Sequence, residues 1–134
     1  MSKDDWNDAL AIRHEVFILE QEVPPELEKD GLDEGATHVV ATRGDAVIGT
    51  ARLVTKGEAR IGRVAVLKPW RHRGIAGLLL EALETEARQL GDRELTLHSQ
   101  AYVQRLYQKH GYVVNGPGFV EAGIDHIPMT KRLP

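Results

Sequence analysis

The stretch from Val64 to Gly77 constrains the possible fold more than any other part of the chain. It begins with four apolar residues, Val64-Ala65-Val66-Leu67, which predict the end of a strand that is buried on both faces. Pro69 interrupts that strand, and a basic turn containing Gly74 follows. After Gly74 the apolar residues recur at spacings of three and four, which is typical of a helix packed against a core. The stretch therefore predicts a strand, a tight basic turn and a long helix.

Three strands are predicted before this unit. Turn signals at Arg43-Gly44-Asp45 and Lys56-Gly57-Glu58 separate runs that are rich in β-branched residues. The three runs are His38–Thr42, Ala46–Val54 and Ala59–Leu67. Because the connecting turns are short, we expect an antiparallel meander whose last strand leads into the basic turn.

Helices and strands alternate after the basic turn. Gly91 is a C-cap for the long helix, and Glu94–His98 alternates apolar and polar residues as a strand does. A second amphipathic helix is predicted over Ala101–His110, followed by strands at Tyr112–Val114 and His126–Lys131. A meander followed by strand–helix–strand predicts the α/β class in its mixed α+β form, with a mixed sheet and helices on both faces.

The chain before the meander is predicted as a helix and a loop. Apolar residues between Asp4 and Leu19 suit one or two helical turns, and Pro24-Pro25 ends that helix. The acidic stretch Glu26–Gly35 predicts a loop or a short helix with a turn. Within it, Asp30-Gly31-Leu32-Asp33-Glu34 lacks the register of a calcium loop, so we expect a solvated loop.

Composition excludes several classes of function. The 134 residues suit one domain over residues 1–134, and a formal net charge of −3 argues against a general nucleic-acid binder. The absence of cysteine excludes disulfides, thiolate metal sites and a cysteine nucleophile. The six histidines show no ligand spacing, so we expect no metal. No apolar run is long enough to span a membrane, so we expect a cytoplasmic protein without a membrane partner.

The basic turn is a candidate anion site. The first N–H groups of a helix have no partner within the helix and lie at the positive end of its dipole. Gly74 has no Cβ to obstruct an anion, Ala76 and Gly77 keep the next turn small, and Arg71 and Arg73 add positive charge. Taken alone, the turn is equally consistent with an ordinary surface loop.

Several ordered blocks resemble one family. Arg71-x-x-Gly74-x-Ala76 is similar to the Arg/Gln-x-x-Gly-x-Gly/Ala signature of the GNAT superfamily of N-acetyltransferases. Further blocks resemble its ElaA/YjcF-like branch and cover nearly the whole chain: Arg13-x-x-Val16-Phe17-x-x-Glu20-Gln21, Leu97-His98-Ser99-Gln100, Tyr107-x-x-His110-Gly111-Tyr112 and Phe119-x-x-Ala122-Gly123-Ile124-x-His126-Ile127-x-Met129. The resemblance implies a central mixed sheet of six to seven strands.

The resemblance also implies acetyl-CoA as a co-substrate. The loop residues implied to hold its pyrophosphate are Arg71, His72, Arg73, Gly74, Ile75, Ala76 and Gly77. The strand residues whose main chain would pair with the pantetheine arm are Val64, Ala65 and Val66. The implied activity is direct transfer of an acetyl group to a primary amine of a small-molecule or peptide acceptor. The alternative is a non-catalytic acyl-CoA-binding regulatory module. Homodimers are common in the family, so a homodimer is a further option.

Tyr107 is the implied catalytic acid, because similar proteins use a tyrosine here to protonate the departing thiolate of CoA. The alternative is a core tyrosine whose hydroxyl is satisfied by a neighbour.

The general base remains open. Many GNAT enzymes carry a glutamate on the strand before the loop, where this chain has Ile61-Gly62-Arg63-Val64. The remaining candidates are His98, Glu121, His126 and a water relay, and each of the three residues is also plausible as a surface or packing residue. The missing carboxylate is the feature that favours the non-catalytic alternative.

Overall fold

A seven-stranded mixed sheet forms the centre of the computed structural model, which describes residues 1–134. Its strands are β1 (Thr37–Arg43), β2 (Ala46–Val54), β3 (Arg60–Val66), β4 (Glu94–Gln100), β5 (Val113–Val114), β6 (Phe119–Glu121) and β7 (Ile124–Arg132). The helices are α1 (Lys3–Arg13), α2 (Pro25–Glu28), α3 (Ile75–Gln89) and α4 (Gln104–Lys109). The strand order is β1-β2-β3-β4-β7-β5, with β6 paired to β7, and β3–β4 is the one parallel pair. The mixed α/β class is therefore confirmed.

Helices cover both faces of the sheet. Neighbouring residues of a strand point to opposite faces, and Ala65 and Val66 of β3 accordingly belong to different core clusters. Ala65 packs with residues of the first helix such as Ile12, whereas Val66 packs with residues of α3 such as Leu83. Every residue of β2 from Val47 to Leu53 is buried, as expected of a strand that is covered on both sides.

The parallel pair β3–β4 opens shortly after it begins. Only Arg60 with Thr96 and Ile61 with Leu97 are paired, and beyond them the two strands diverge. The register between β2 and β3 shifts at the same point, and Arg63 lies in the left-handed region with φ +53°. A bulge bends a strand and increases its twist, which turns β3 away from β4. The remainder of β3, from Gly62 to Val66, therefore presents an unpaired main-chain edge to the split.

The first helical segment is longer than the one or two turns expected. Ser2 caps α1 by accepting a hydrogen bond from the Asp5 amide (3.1 Å), and α1 continues in π-helical geometry over His14–Glu20. A bond from the Gln21 amide to the Val16 carbonyl (3.2 Å) shows the wider turn. The segment continues this far because no glycine or proline interrupts it before Pro24. No helix of the structure has the combined length and apolarity needed to cross a membrane.

The C-terminal third differs in detail from the expected elements. The second amphipathic helix is short, because Ala101–Val103 forms a 3₁₀ turn and α4 covers only Gln104–Lys109. Strand β6 was not expected, and it forms a hairpin with β7 through Ala122 and Gly123. Both of these residues have positive φ (52° and 76°), which is the conformation of tight hairpin turns. Alanine is not a usual signal for that conformation, so the sequence pattern did not show the turn.

The acidic stretch after α2 is exposed in part, as expected of a solvated loop, but its Asp30 and Asp33 are ion-paired. Arg13, whose side chain is 2% exposed, donates to Glu28 (2.8 Å) and to Asp33 (2.8 Å). Arg52 donates to Asp30 and to Asp33 (3.0 Å). The sequence did not show these ion pairs because the partners of the acids lie on α1 and β2, at least 15 residues away. The ion pairs fix the stretch against the sheet.

This ion cluster predicts a loss of stability in acid. Burial alone would raise the pKa of Asp30, but hydrogen bonds and charge from Arg52 outweigh it and lower the pKa to about 2. A depressed carboxyl pKa stabilises the fold above the ordinary value near 3.8, and that contribution is lost as pH falls through the folded value. We expect Asp30→Asn to lower the free energy of unfolding at pH 7 by about 1 kcal/mol, as for a partly exposed pair. Near pH 2, where about half of the Asp30 carboxyls are protonated in the folded protein, the difference from wild type should be much smaller.

Urea unfolding followed by circular dichroism at pH 7 and pH 2 measures both values. Asp8→Asn, at an exposed position of α1, is the matched control and should behave as wild type. An equal loss at both pH values for Asp30→Asn would contradict the prediction.

Candidate active site

A cavity of about 900 Å³ lies in the split between β3 and β4. Most of the residues singled out in the sequence line it. They are Val64, Ala65, Val66, Arg71, His72, Gly74, Ile75, Ala76, His98, Tyr107, Glu121 and His126. Arg73 and Gly77 do not line it. The fold thus brings together residues from β3, β4, α4 and the last hairpin that are up to 62 positions apart in the chain (126 − 64).

The turn before α3 presents free backbone amides to this cavity. Gly74 precedes the helix with φ +81°, and His72 also has positive φ (63°). The amide of Leu78 donates to the Gly74 carbonyl (3.2 Å), so the amides of residues 75 to 77 have no acceptor within the helix. Successive N–H groups in such a turn form a concave anion site at the positive end of a helix.

The side chain of Arg71 is held in place by its neighbours. Its Nε donates to the Val66 carbonyl (2.8 Å), and its two terminal nitrogens donate to the Glu20 carboxylate (2.9 and 2.6 Å). The hydrogen bond with Glu20 raises the pKa of Arg71 and lowers that of Glu20. The bidentate pair compensates much of the arginine's charge. Arg71 therefore joins the turn to β3 and to the first helical segment.

Arg73 stacks on an aromatic ring at the turn. Its guanidinium lies 5.1 Å from the centroid of Trp70, and that of Arg43 lies 5.6 Å from the same ring. Such cation–π contacts contribute about 0.5–1 kcal/mol each at exposed sites. Arg73 thus stabilises the turn and supplies its charge from outside the cavity.

Gly77 is buried and makes room for His110. A Cβ at Gly77 would lie 2.6 Å from Cε1 and 2.8 Å from Nε2 of the His110 imidazole. The ring of His110 therefore packs directly against the first turn of α3, and His110 also lines the cavity. Sequence reasoning gave His110 no role, because a histidine at the end of one helix does not show that it packs against a glycine of another.

Tyr107 is buried beside the cavity without a hydrogen-bond partner. Its ring meets that of Tyr112 edge-on at 6.1 Å, and no group of the protein bonds its hydroxyl. Burial, reinforced by the nearby Tyr102, raises the pKa of Tyr107 to about 12. The phenol is therefore neutral at physiological pH and keeps a proton to donate. The structure does not show the satisfied hydroxyl of an ordinary core tyrosine.

Two of the three candidate bases pack against one aromatic ring, and the third contacts one of these two. His98 meets Phe119 edge-on at 4.9 Å, and His126 stacks on Phe119 at 5.9 Å. Nδ1 of His98 lies 3.2 Å from Glu121, and Nδ1 of His126 lies 2.7 Å from the Ile124 carbonyl. Both imidazoles thus have Nδ1 engaged and Nε2 free of protein partners.

A pair of glutamines connects the first helical segment to β4, on the side of the split opposite β3. The Gln100 amide donates to Gln21 (2.7 Å), and Gln21 donates back to Gln100 (3.3 Å) and to the Tyr102 hydroxyl (3.2 Å). Glu20, the residue before Gln21, bonds Arg71 on the other side of the split. Sequence reasoning placed Glu20 and Gln21 in a family block but did not identify Arg71 and Gln100 as their partners.

Comparisons with known proteins agree with this geometry. The profile of the family described as "Acetyltransferase (GNAT) domain" matches residues 3–133. The chain belongs to the GNAT acetyltransferase family. The uncharacterized N-acetyltransferase YjcF of Bacillus subtilis is 36% identical over 132 residues, which are 97% of this chain and 94% of that protein.

Solved structures of GNAT proteins share the fold over almost the whole chain. Escherichia coli ElaA superposes with a TM-score of 0.85 at 28% identity, over 98% of this chain and 92% of that one. An acyl-CoA N-acyltransferase from Pseudomonas aeruginosa gives 0.84 at 31% identity, with the same coverage. The family, the ElaA/YjcF-like branch and the enzyme class expected from the sequence are therefore confirmed.

The contact between Gly77 and His110 predicts a coupled pair of substitutions. In the wild-type background, Gly77→Ala should cost about 1 kcal/mol, because its methyl group must displace the imidazole. In a His110→Ala background the same change should stabilise the protein by up to about 1 kcal/mol, because alanine is the better helix former. Urea unfolding of the four proteins measures the coupling, and equal effects in both backgrounds would contradict it.

Proposed function

We propose that this GNAT protein transfers the acetyl group of acetyl-CoA directly to a primary amine, with residues 1–134 acting as one catalytic domain. The observation that carries the proposal is the split between β3 and β4. It places an unpaired strand edge, a ring of free helix amides and a neutral buried tyrosine around one cavity. Family membership supports acetyl-CoA as the donor.

The pyrophosphate of the coenzyme binds at the turn before α3. The amides that follow Gly74 supply the main contacts, because they have no acceptors of their own. Arg71 contributes mainly by holding the turn, since Glu20 already engages its guanidinium. Arg73 adds positive charge from its position on Trp70.

The pantetheine arm pairs with the open edge of β3. The Leu67 amide donates to the Ile48 carbonyl on β2 (3.0 Å). The Val66 carbonyl belongs to the same peptide group as that amide, so it points in the opposite direction, into the split. Residues at i and i+2 of a strand share a side, so Val64 faces the split as well. Because Arg71 uses the Val66 carbonyl, the amide of Val66 and the carbonyl of Val64 are left for the arm.

Tyr107 protonates the leaving group. The amine nitrogen forms a bond to the thioester carbonyl carbon, the C–S bond breaks, and the thiolate sulfur takes the phenolic proton. A thiolate in a closed cavity is costly unless it receives a proton or a hydrogen bond. Burial keeps the phenol in the donating form over the whole neutral range.

One experiment separates this function from a non-catalytic acyl-CoA-binding module. Calorimetric titration with acetyl-CoA tests the coenzyme site, and a thiol reagent reports CoA released in the presence of a panel of primary amines. Because the chain has no cysteine, every thiol detected is CoA. Binding with release supports the proposal. Binding without release on any amine supports the module, and no binding contradicts both.

The free amides of the turn predict that a side chain at Gly74 obstructs the coenzyme. We expect Gly74→Leu to weaken acetyl-CoA binding at least about tenfold, which is about 1.4 kcal/mol, in a calorimetric titration. Gly57→Leu is the matched control, because Gly57 also has positive φ (88°) and open space around it. Both changes should cost about 1–2 kcal/mol of stability through backbone strain. Equal coenzyme affinity in the two variants would contradict the assignment.

The burial of Tyr107 predicts the behaviour of Tyr107→Phe. Turnover should fall about 100-fold, as for loss of a positioned acid, while the Kd of acetyl-CoA stays unchanged. Since the pKa of Tyr107 is about 12, wild-type kcat should show no loss from ionisation of Tyr107 below about pH 10. Initial rates and calorimetry between about pH 6 and pH 10 measure both. Full activity of Tyr107→Phe across this range would exclude the acid role.

A further inference from the structure

His98 lies at the point where the sheet opens. Leu97 is the last residue of β4 that pairs with β3, so His98 is the first residue beyond the closed part of the pair. Its counterpart on β3 is Gly62, which has no side chain. The space between the two strands is therefore bordered by an imidazole on β4 and by no functional group on β3 at that level.

Strand alternation places His98 and Tyr107 on opposite faces of the sheet. Leu97 and Tyr107 belong to the core cluster of α3, so His98, the next residue of β4, points to the other face. Gln100 shares that face with His98, and its bond to Gln21 on the first helical segment agrees with the assignment. The proposed proton donor, Tyr107, and a possible proton acceptor, His98, thus approach the split from opposite faces of the sheet.

The hairpin of β6 and β7 orients the His98 ring. The Glu121 carboxylate lies 3.2 Å from His98 Nδ1, and Phe119 meets the ring edge-on at 4.9 Å. A carboxylate accepts hydrogen bonds and cannot donate one, so the contact favours a proton on Nδ1. Nε2 then carries the lone pair and has no protein partner, while His98 lines the cavity.

We propose that His98 Nε2 is the general base of the acyl transfer and that Glu121 is the positioning residue that fixes its tautomer. This inference rests on the proposed function. The acceptor enters as an ammonium ion, and His98 takes the proton it must lose before the nitrogen attacks the thioester carbon. The nitrogen sheds a second proton to solvent as the C–S bond breaks, and solvent returns a proton to the Tyr107 phenolate, which has given its own to the sulfur, so that the one proton released overall stays on His98.

His126 is the competing base. It also has Nδ1 engaged and lines the cavity, but it lies on β7 opposite Gln100, one strand farther from the split. His98 borders the opening itself. The position relative to the split therefore favours His98.

Turnover of the variants with the best amine of the panel tests the assignment. We expect His98→Gln to lower kcat about 100-fold or more and Glu121→Gln to lower it about tenfold, within the range for general bases. The Kd of acetyl-CoA should be unchanged in both variants. His14→Gln, at an exposed histidine that does not line the cavity, is the matched control and should behave as wild type.

Imidazole nitrogen NMR of the acetyl-CoA complex supplies a second readout. His98 should carry its proton on Nδ1 in wild type, and Glu121→Gln should shift the population toward the Nε2–H form. A purely structural role of Glu121 would lower stability without changing the tautomer.

The outcomes distinguish the two levels of the proposal. The base assignment is overturned if His98→Gln keeps wild-type activity, or if His126→Gln is the only variant that loses it. Either result leaves the acetyltransferase function intact. An Nε2–H tautomer in wild type also overturns it. A wild-type protein that binds acetyl-CoA but acetylates no amine overturns the proposed function, and the base assignment with it.

Discussion

The divergence of β3 from β4 after Ile61 is the constraint on which the rest of the site depends. Unpaired main-chain groups and a left-handed arginine are both unfavourable, and the backbone conformation at Arg63 alone costs on the order of 1–3 kcal/mol. Arg63 is held there by the acidic segment: it donates to the Glu28 carboxylate (3.1 Å) and to the Glu28 carbonyl (2.9 Å). The ion pairs of the acidic stretch after α2 thus help to keep the split between β3 and β4 open.

The end of the first helical segment fixes both edges of the split. Glu20 engages Arg71 at the end of β3, and Gln21 engages Gln100 at the end of β4. Two consecutive residues therefore connect the turn before α3 to the strand that carries His98. This connection fixes the two edges relative to each other, since moving one against the other breaks a hydrogen bond.

The two faces of the sheet provide different environments for proton transfer. Tyr107 lies in the apolar core between α3 and the sheet, where burial keeps its phenol neutral. His98 lies on the other face in a polar, partly exposed setting beside Glu121. An apolar environment preserves a donor, and a polar one tolerates the charge that a base acquires. A sheet opened between two strands allows both environments to border the same cavity.

The sequence by itself determined the strand–turn–helix unit around Gly74, most of the order of helices and strands along the chain, and the family. These features depend on periodicity, turn residues and short motifs, which act within a few residues of the chain. The partners of the charged and polar side chains were decided by the tertiary structure alone. Arg71 looked like a free cation, yet its partner Glu20 is 51 residues away, and Gln21 meets Gln100 across 79 residues. Side-chain contacts of this kind form only where distant elements approach, so a linear pattern can identify the residues but not what they bind.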